Sequence, residues 1–239
     1  MRLSPSCVLL SSLLLLSACV ATGDEGELTV TIYGEAFIEE GIPASETDGW
    51  EVTFERFAVV LRDVKVADRG VLVSYPIDLS RPSGGAGYLM GTGLVPSGEY
   101  TDATFTIAHM EVRGSATKGD VTKTFDWVFD EAVRYSECET TTVIPAGGAA
   151  TFQITLHADH LLYDSLVSET PQLTFQGIAD ADADADGVIT REELEAADLG
   201  AYDPGSGGDI DTLWDYLAAQ AATVGHVDGE GHCKAEPVD

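Results

Sequence analysis

Between residues 27 and 157 apolar side chains recur at every second position, and that period limits most strongly what the chain can fold into. Successive side chains of a strand point to opposite faces, so a period of two marks strands half buried against a core. Leu28, Val30 and Ile32 share one face, with Thr29 and Thr31 on the other. Val52, Phe54, Val60, Val64 and Val66 mark one or two further strands, and residues 71–79 another. Phe105, Ile107 and His109 alternate with Thr104, Thr106 and Ala108; Phe125, Trp127 and Phe129 form an aromatic face, and Phe152, Ile154 and Leu156 a last one. Seven or so short strands, separated by Gly, Pro and Asp, predict a mainly β fold, an antiparallel β-sandwich.

After His160 the period changes. Residues 161–167 fit a short helix, Pro171 restarts the chain, and 191–198 and 211–224 read as helices, the second with Leu213, Trp214, Leu217 and Ala221 on one stripe. The expected organisation is a leader over 1–18, a tether over 19–27, a β body over 28–157 and a small helical segment over 158–239.

Charge narrows the function classes. Lys and Arg number 12 against 41 Asp and Glu, a formal net charge of −29, so a phosphate backbone is repelled almost everywhere and nucleic acid is not an expected partner. Gly84, Gly85, Gly87, Gly91 and Gly93 do not make a phosphate cradle, because no Lys-Ser/Thr follows them and no helix begins there. Gly-x-Ser-x-Gly and His-Glu-x-x-His are absent, so hydrolase chemistry lacks two of its usual marks and a non-catalytic module is expected.

The first residues read as an address. Met1-Arg2 gives a short positive start, and residues 7–18 are apolar or small, too short to span a bilayer as a helix. The stretch ends Leu16-Ser17-Ala18-Cys19, which resembles the lipobox of bacterial lipoproteins. That resemblance implies cleavage before Cys19, lipidation of Cys19 and a membrane anchor; an ordinary secretory signal is the alternative. Val20 stands where an aspartate would retain such a lipoprotein in the inner membrane of enteric bacteria, which points to the outer membrane. The stretch Val95-Pro96-Ser97-Gly98-Glu99-Tyr100, leading into a strand, resembles turns of immunoglobulin- or transthyretin-like domains in bacterial lipoproteins.

With Cys7 and Cys19 consumed by the leader and the anchor, Cys138 and Cys233 remain. Outside the cytoplasm two leftover thiols most simply form one disulfide, although Cys233 as a metal thiolate is the alternative.

Residues 182–193 resemble the EF-hand calcium loop. Asp182, Asp184 and Asp186 stand at positions one, three and five, Gly187 at the sharp turn, the Val188 carbonyl at seven, Thr190 at nine and Glu193 at the bidentate twelfth position. Such loops pair, and residues 203–214 are either a degenerate partner, with Ile210 beside Ile189, or a glycine-rich linker before a helix capped by Asp209.

Four of the five histidines fall in two clusters: His157 and His160 after the last strand, then His226, Asp228, Glu230 and His232 near the end of the chain. Imidazole with carboxylate suits Zn²⁺ or Cu²⁺ rather than calcium. If the disulfide forms it brings the second cluster to the β body, where His109 is a further candidate. Two functions are therefore expected to compete: a calcium-binding envelope module, and a periplasmic transition-metal binder.

Overall fold

The structure, a computed structural model, describes residues 24–67, 69–71, 76–206 and 209–238. The leader over 1–18, the Cys19 lipidation site, the start of the tether, part of the strand expected over 71–79, and Gly207 and Gly208 lie outside the described residues.

Strand β1 (Glu25–Tyr33) runs into a five-residue helix α1 (Glu35–Glu39), then the long β2 (Glu51–Val66). There follow β3 (Arg69–Val71), β4 (Ile77–Asp78), β5 (Tyr88–Pro96), β6 (Gly98–Tyr100), β7 (Thr104–Lys118) and β8 (Val121–Phe129). Next come β9 (Val133–Ser136), β10 (Thr142–Ile144) and β11 (Ala149–Leu156), closed by a 3-10 turn at Ala158–Leu162. The remainder carries α2 (Gln176–Asp180), β12 (Val188–Ile189), α3 (Arg191–Ala196), α4 (Leu213–Ala221), β13 (Gly225–Val227) and β14 (Lys234–Pro237).

The fold is mainly β, and its sheets are mixed. One sheet has the order β13-β11-β1-β5, in which β1 and β11 run parallel while the outer pairs are antiparallel. The other has the path β12-β8-β7-β2-β3, with β4 added to β2, β9 to β7 and β14 to β9. Here β12 joins β8 in parallel, and β6 pairs with β10 separately. The strictly antiparallel pairing expected from the sequence is thus broken at two places, both between strands distant in the chain.

The expected faces are buried: Leu28, Val30 and Ile32 on β1, Phe125, Trp127 and Phe129 on β8, and Phe152, Ile154 and Leu156 on β11. They share one hydrophobic cluster with Phe175, Ile178, Leu194, Leu213, Trp214 and Leu217 from the helical part. Alternation fails at bulges. The β2–β7 register pairs Val60 with His109 but Leu61 with Ile107, so Ala108 is an extra residue. Phe105 and Ile107 point inward before it, Met110 and Val112 after it. His109, expected on the apolar face, is turned to the outer face, where Nδ1 lies 2.6 Å from Asp130 Oδ1 and Nε2 3.2 Å from Glu111 Oε1.

One carboxylate of the β body helps tie the helical part to the sheets. Asp48 accepts the Phe175 and Gln176 N–H groups (3.1 and 3.0 Å) and the Thr174 hydroxyl (2.7 Å), capping α2 from more than a hundred residues away. Its oxygens satisfy, from a distant segment, N–H donors that a helix start otherwise leaves open. Asp48→Ala is expected to lower stability by about 1–2 kcal/mol, read as a lower urea midpoint at unchanged slope; an unmoved midpoint would show the cap to be idle.

Candidate metal centres

The loop over 182–193 follows α2 and is wound by its own carboxylates. Asp184 Oδ1 accepts the Asp186 N–H at 3.1 Å, and Asp186 Oδ1 accepts the Val188 N–H at 2.7 Å. Gly187 makes the reversal at φ +87°, in the left-handed region that glycine adopts without strain. Glu193 Oε1 accepts the Ala183 N–H (3.0 Å), while its Oε2 accepts the Thr190 N–H (3.0 Å) and hydroxyl (2.8 Å). Thr190 Oγ1 in turn accepts the Glu193 N–H, a capping box that starts α3.

Asp182 is the buried member, its side chain wholly removed from solvent. Its Oδ2 accepts the Gly187 N–H at 2.9 Å and an ammonium hydrogen bond from Lys123 of β8. That Lys123 contact, first, holds the Asp182 carboxyl below the usual carboxylate range. Its other oxygen, Oδ1, has no hydrogen-bond partner. Asp182, Asp184 and Glu193 each offer an oxygen, all within 4.8 Å of one another, so this group can hold a metal ion. Asp186 and Thr190 spend their side chains on the loop and the cap, and Lys123 was missed by the sequence reading because nothing local links it to the loop.

The two-residue strand of this loop pairs with the β body. Val188 and Ile189 of β12 lie beside Thr124 and Phe125 of β8, Thr124 N–H donates to the Gly187 carbonyl (2.8 Å), and the Trp127 indole N–H donates to the Ile189 carbonyl (3.1 Å). Of the two readings of residues 203–214, the one that pairs Ile210 with Ile189 is not what the strand shows: β8 takes the partner's place, since it offers an open edge beside the aromatic core. The cap also differs, because Thr212 rather than Asp209 starts α4, in a capping box with Asp215.

The second centre gathers four histidines from two stretches. Strand β13 lies against β11 with Thr155 opposite His226, and the His157 N–H donates to the Val224 carbonyl at 3.0 Å. Gly225 lets this strand approach, since a Cβ there would sit 2.6 Å from the Tyr135 ring. Ring centroids are 4.2 Å apart for His157 and His226, 4.9 Å for His160 and His226, 4.9 Å for His226 and His232, and 5.6 Å for His157 and His160.

Three carboxylates surround these rings. His157, Asp159 and His160 form one group of ligand atoms within 4.8 Å, and Glu35, His157 and Glu230 another; each can hold a metal ion. Glu35 Oε1 lies 3.4 Å from His157 Nε2. Burial raises the Glu35 pKa, and the neighbouring His157 opposes the rise. Burial, followed by repulsion from neighbouring histidines, lowers His160 to about 4 and His226 to about 3, so both rings are neutral at pH 7. His226 is 2% exposed, and its Nδ1 has no hydrogen-bond partner.

Asp228, expected in this cluster, is occupied elsewhere. It accepts the Gln153 N–H at 3.1 Å and the Thr140 hydroxyl, pinning the tail to β11. Glu35 and Asp159 were missed as members of this cluster. Asp159 sits inside the histidine stretch and was legible there; Glu35 is more than a hundred residues away and carried no signal. Cys138 and Cys233 are joined in a disulfide beside His232, whose carbonyl accepts the Glu139 N–H at 2.7 Å, so Cys233 is not a metal thiolate.

No protein-family model, no curated protein and no solved structure matches the chain. Function is therefore argued from the two centres themselves.

Proposed function

We propose that this chain is a non-catalytic metal-binding protein of the bacterial cell envelope, lipid-anchored through Cys19, with calcium in the EF-hand-like loop over 182–193 and Zn²⁺ or Cu²⁺ in the histidine cluster. One observation carries the metal-binding reading. Among the described residues, the buried side-chain polar atoms without a hydrogen-bond partner are Asp182 Oδ1 and His226 Nδ1, one in each centre. Buried polar atoms are almost always satisfied, and an ion supplies what each lacks.

The donor sets divide the two metals. Hard Ca²⁺ prefers the all-oxygen set of Asp182, Asp184, Asp186, the Val188 carbonyl, Thr190 and Glu193. Imidazole nitrogens suit a borderline transition ion. The lipobox-like Leu16-Ser17-Ala18-Cys19 supports the anchor and the outer membrane, where calcium is abundant and a disulfide persists. For the body we infer a β-sandwich followed by a helical segment; the alternating burial on β1, β8 and β11 supports it.

Elemental analysis of untagged protein starting at Ala21, purified from periplasm without chelator, tests the reading. One calcium and near one zinc or copper per chain are expected. Calcium alone would remove the transition-metal half, and protein free of both would overturn the proposal.

A further inference from the structure

We infer that the transition ion is held by His157 Nδ1, Asp159 Oδ1 and His160 Nε2 from a single turn, with His226 as the fourth ligand, and that the C-terminal tail sets the tautomers that make this possible. This rests on the transition-metal reading above and names its ligand atoms.

Each of the three ligands has its other polar atom tied down. His157 Nε2 lies 3.1 Å from the Gly229 carbonyl. A carbonyl only accepts, so Nε2 carries the hydrogen and, in the neutral ring, Nδ1 is the bare lone pair. The Thr223 hydroxyl donates to the Gln220 carbonyl at 2.8 Å, which uses its one hydrogen. His160 Nδ1, 2.8 Å from that same oxygen, must therefore donate, leaving Nε2 as the lone pair. Asp159 Oδ2 accepts the Tyr163 hydroxyl at 2.9 Å, which leaves Oδ1.

The atoms left over lie close together. His157 Nδ1 and Asp159 Oδ1 are 3.9 Å apart, and one ligand atom from each of His157, Asp159 and His160 lies within 4.8 Å of the others, a spacing that one ion can bridge. Two ligands at roughly 2.0–2.1 Å from one tetrahedral ion lie about 3.4 Å apart, so the pair closes by about half an ångström on loading. His226 lies tilted against the His157 ring and edge-on to the His160 ring, is buried, and brings the unpartnered Nδ1. A nitrogen-rich set with one carboxylate suits Zn²⁺ or Cu²⁺.

Gly229 and Thr223 stand as the outer shell, the pieces that fix which nitrogen is presented. Glu35, 3.4 Å from His157 Nε2, is a positioning residue of the same kind rather than a ligand. Asp228 lies outside the set.

Zn²⁺ titration by calorimetry, with calcium present throughout, tests this on the whole mature chain. Asp159→Asn and His160→Gln should each weaken zinc by more than about 100-fold, beyond the roughly 10- to 100-fold expected for Thr223→Val or Glu35→Gln. Cobalt-loaded Thr223→Val should keep the parent's visible spectrum, as a positioning residue requires. X-ray absorption on the zinc-loaded parent needs no variant: imidazoles plus one carboxylate oxygen are expected. Normal zinc affinity in a folded Asp159→Asn, or a shell without imidazole, overturns the ligand set. A parent that takes up no zinc, copper or cobalt overturns the underlying transition-metal reading instead.

Discussion

Replacing Cys138 and Cys233 together by serine should lower stability by about 4–5 kcal/mol, the loop-closure entropy of a segment this long in the chain-entropy model. The two cysteines are 95 residues apart. Their bond also fastens the end of the chain at the place where β14 lies along β9. Four short antiparallel pairs hold β14 there, from Lys234–Ser136 to Pro237–Val133, too few to keep an edge ribbon docked unaided. Its loss should therefore reach the histidine centre, because His226 and His232 ride on the same stretch as Cys233. The expected result is a lower urea midpoint together with weaker zinc binding, whereas calcium binding at 182–193 should be unaffected. A double variant within about 1 kcal/mol of the parent would mean that the tail is held by packing and by Asp228, with the disulfide redundant.

The strand faces were legible because burial on one side of a strand leaves a local record, as in Phe125, Trp127 and Phe129. A bulge erases that record without any sign in composition: one extra residue at Ala108 turned His109 from the core to a surface pair of carboxylates. Sheet neighbours were not legible at all. Nothing in Leu28-Thr29-Val30 says that the parallel partner is Ala150-Thr151-Phe152, since pairing at such distance is decided by the whole core.

The two centres divide in the same way. Residues 182–193 name their own candidate ligands because the loop is contiguous, yet the sequence could not announce that β8 would take the place of a second loop, or that Lys123 would hold Asp182. The histidines were legible by type, and their convergence depended on β13 returning to β11. Glu35, in contact from the far end of the chain, could be found only in three dimensions.

Glu193→Ala should expose the two tasks that one carboxylate performs. Without metal, Glu193 holds the Thr190 N–H and hydroxyl and the Ala183 N–H, so its removal costs the capping box, about 1 kcal/mol. With calcium, the variant also forfeits the linkage gain, about 2.7 kcal/mol at a free calcium 100 times the dissociation constant. Thermal or urea unfolding should show a gap of about 1 kcal/mol in chelator and about 3–4 kcal/mol in millimolar calcium. The acid response has a definite sign. The Thr190 N–H, then its hydroxyl, hold the Glu193 carboxyl below its usual range. That contribution is present above the unfolded pKa and is lost as pH falls through the folded one, so parent and variant should converge in acid. Glu193→Gln keeps an acceptor for the cap and loses the charge; in chelator it should fall between the other two, and calcium should not stabilise it. Equal stabilisation of parent and Glu193→Ala by calcium would place the ion elsewhere. Asp182, buried with one oxygen on Lys123 and one unpartnered, would then have to be explained by the ammonium alone. A single ammonium leaves Oδ1 unanswered, which is why the calcium-dependent gap is the expected outcome.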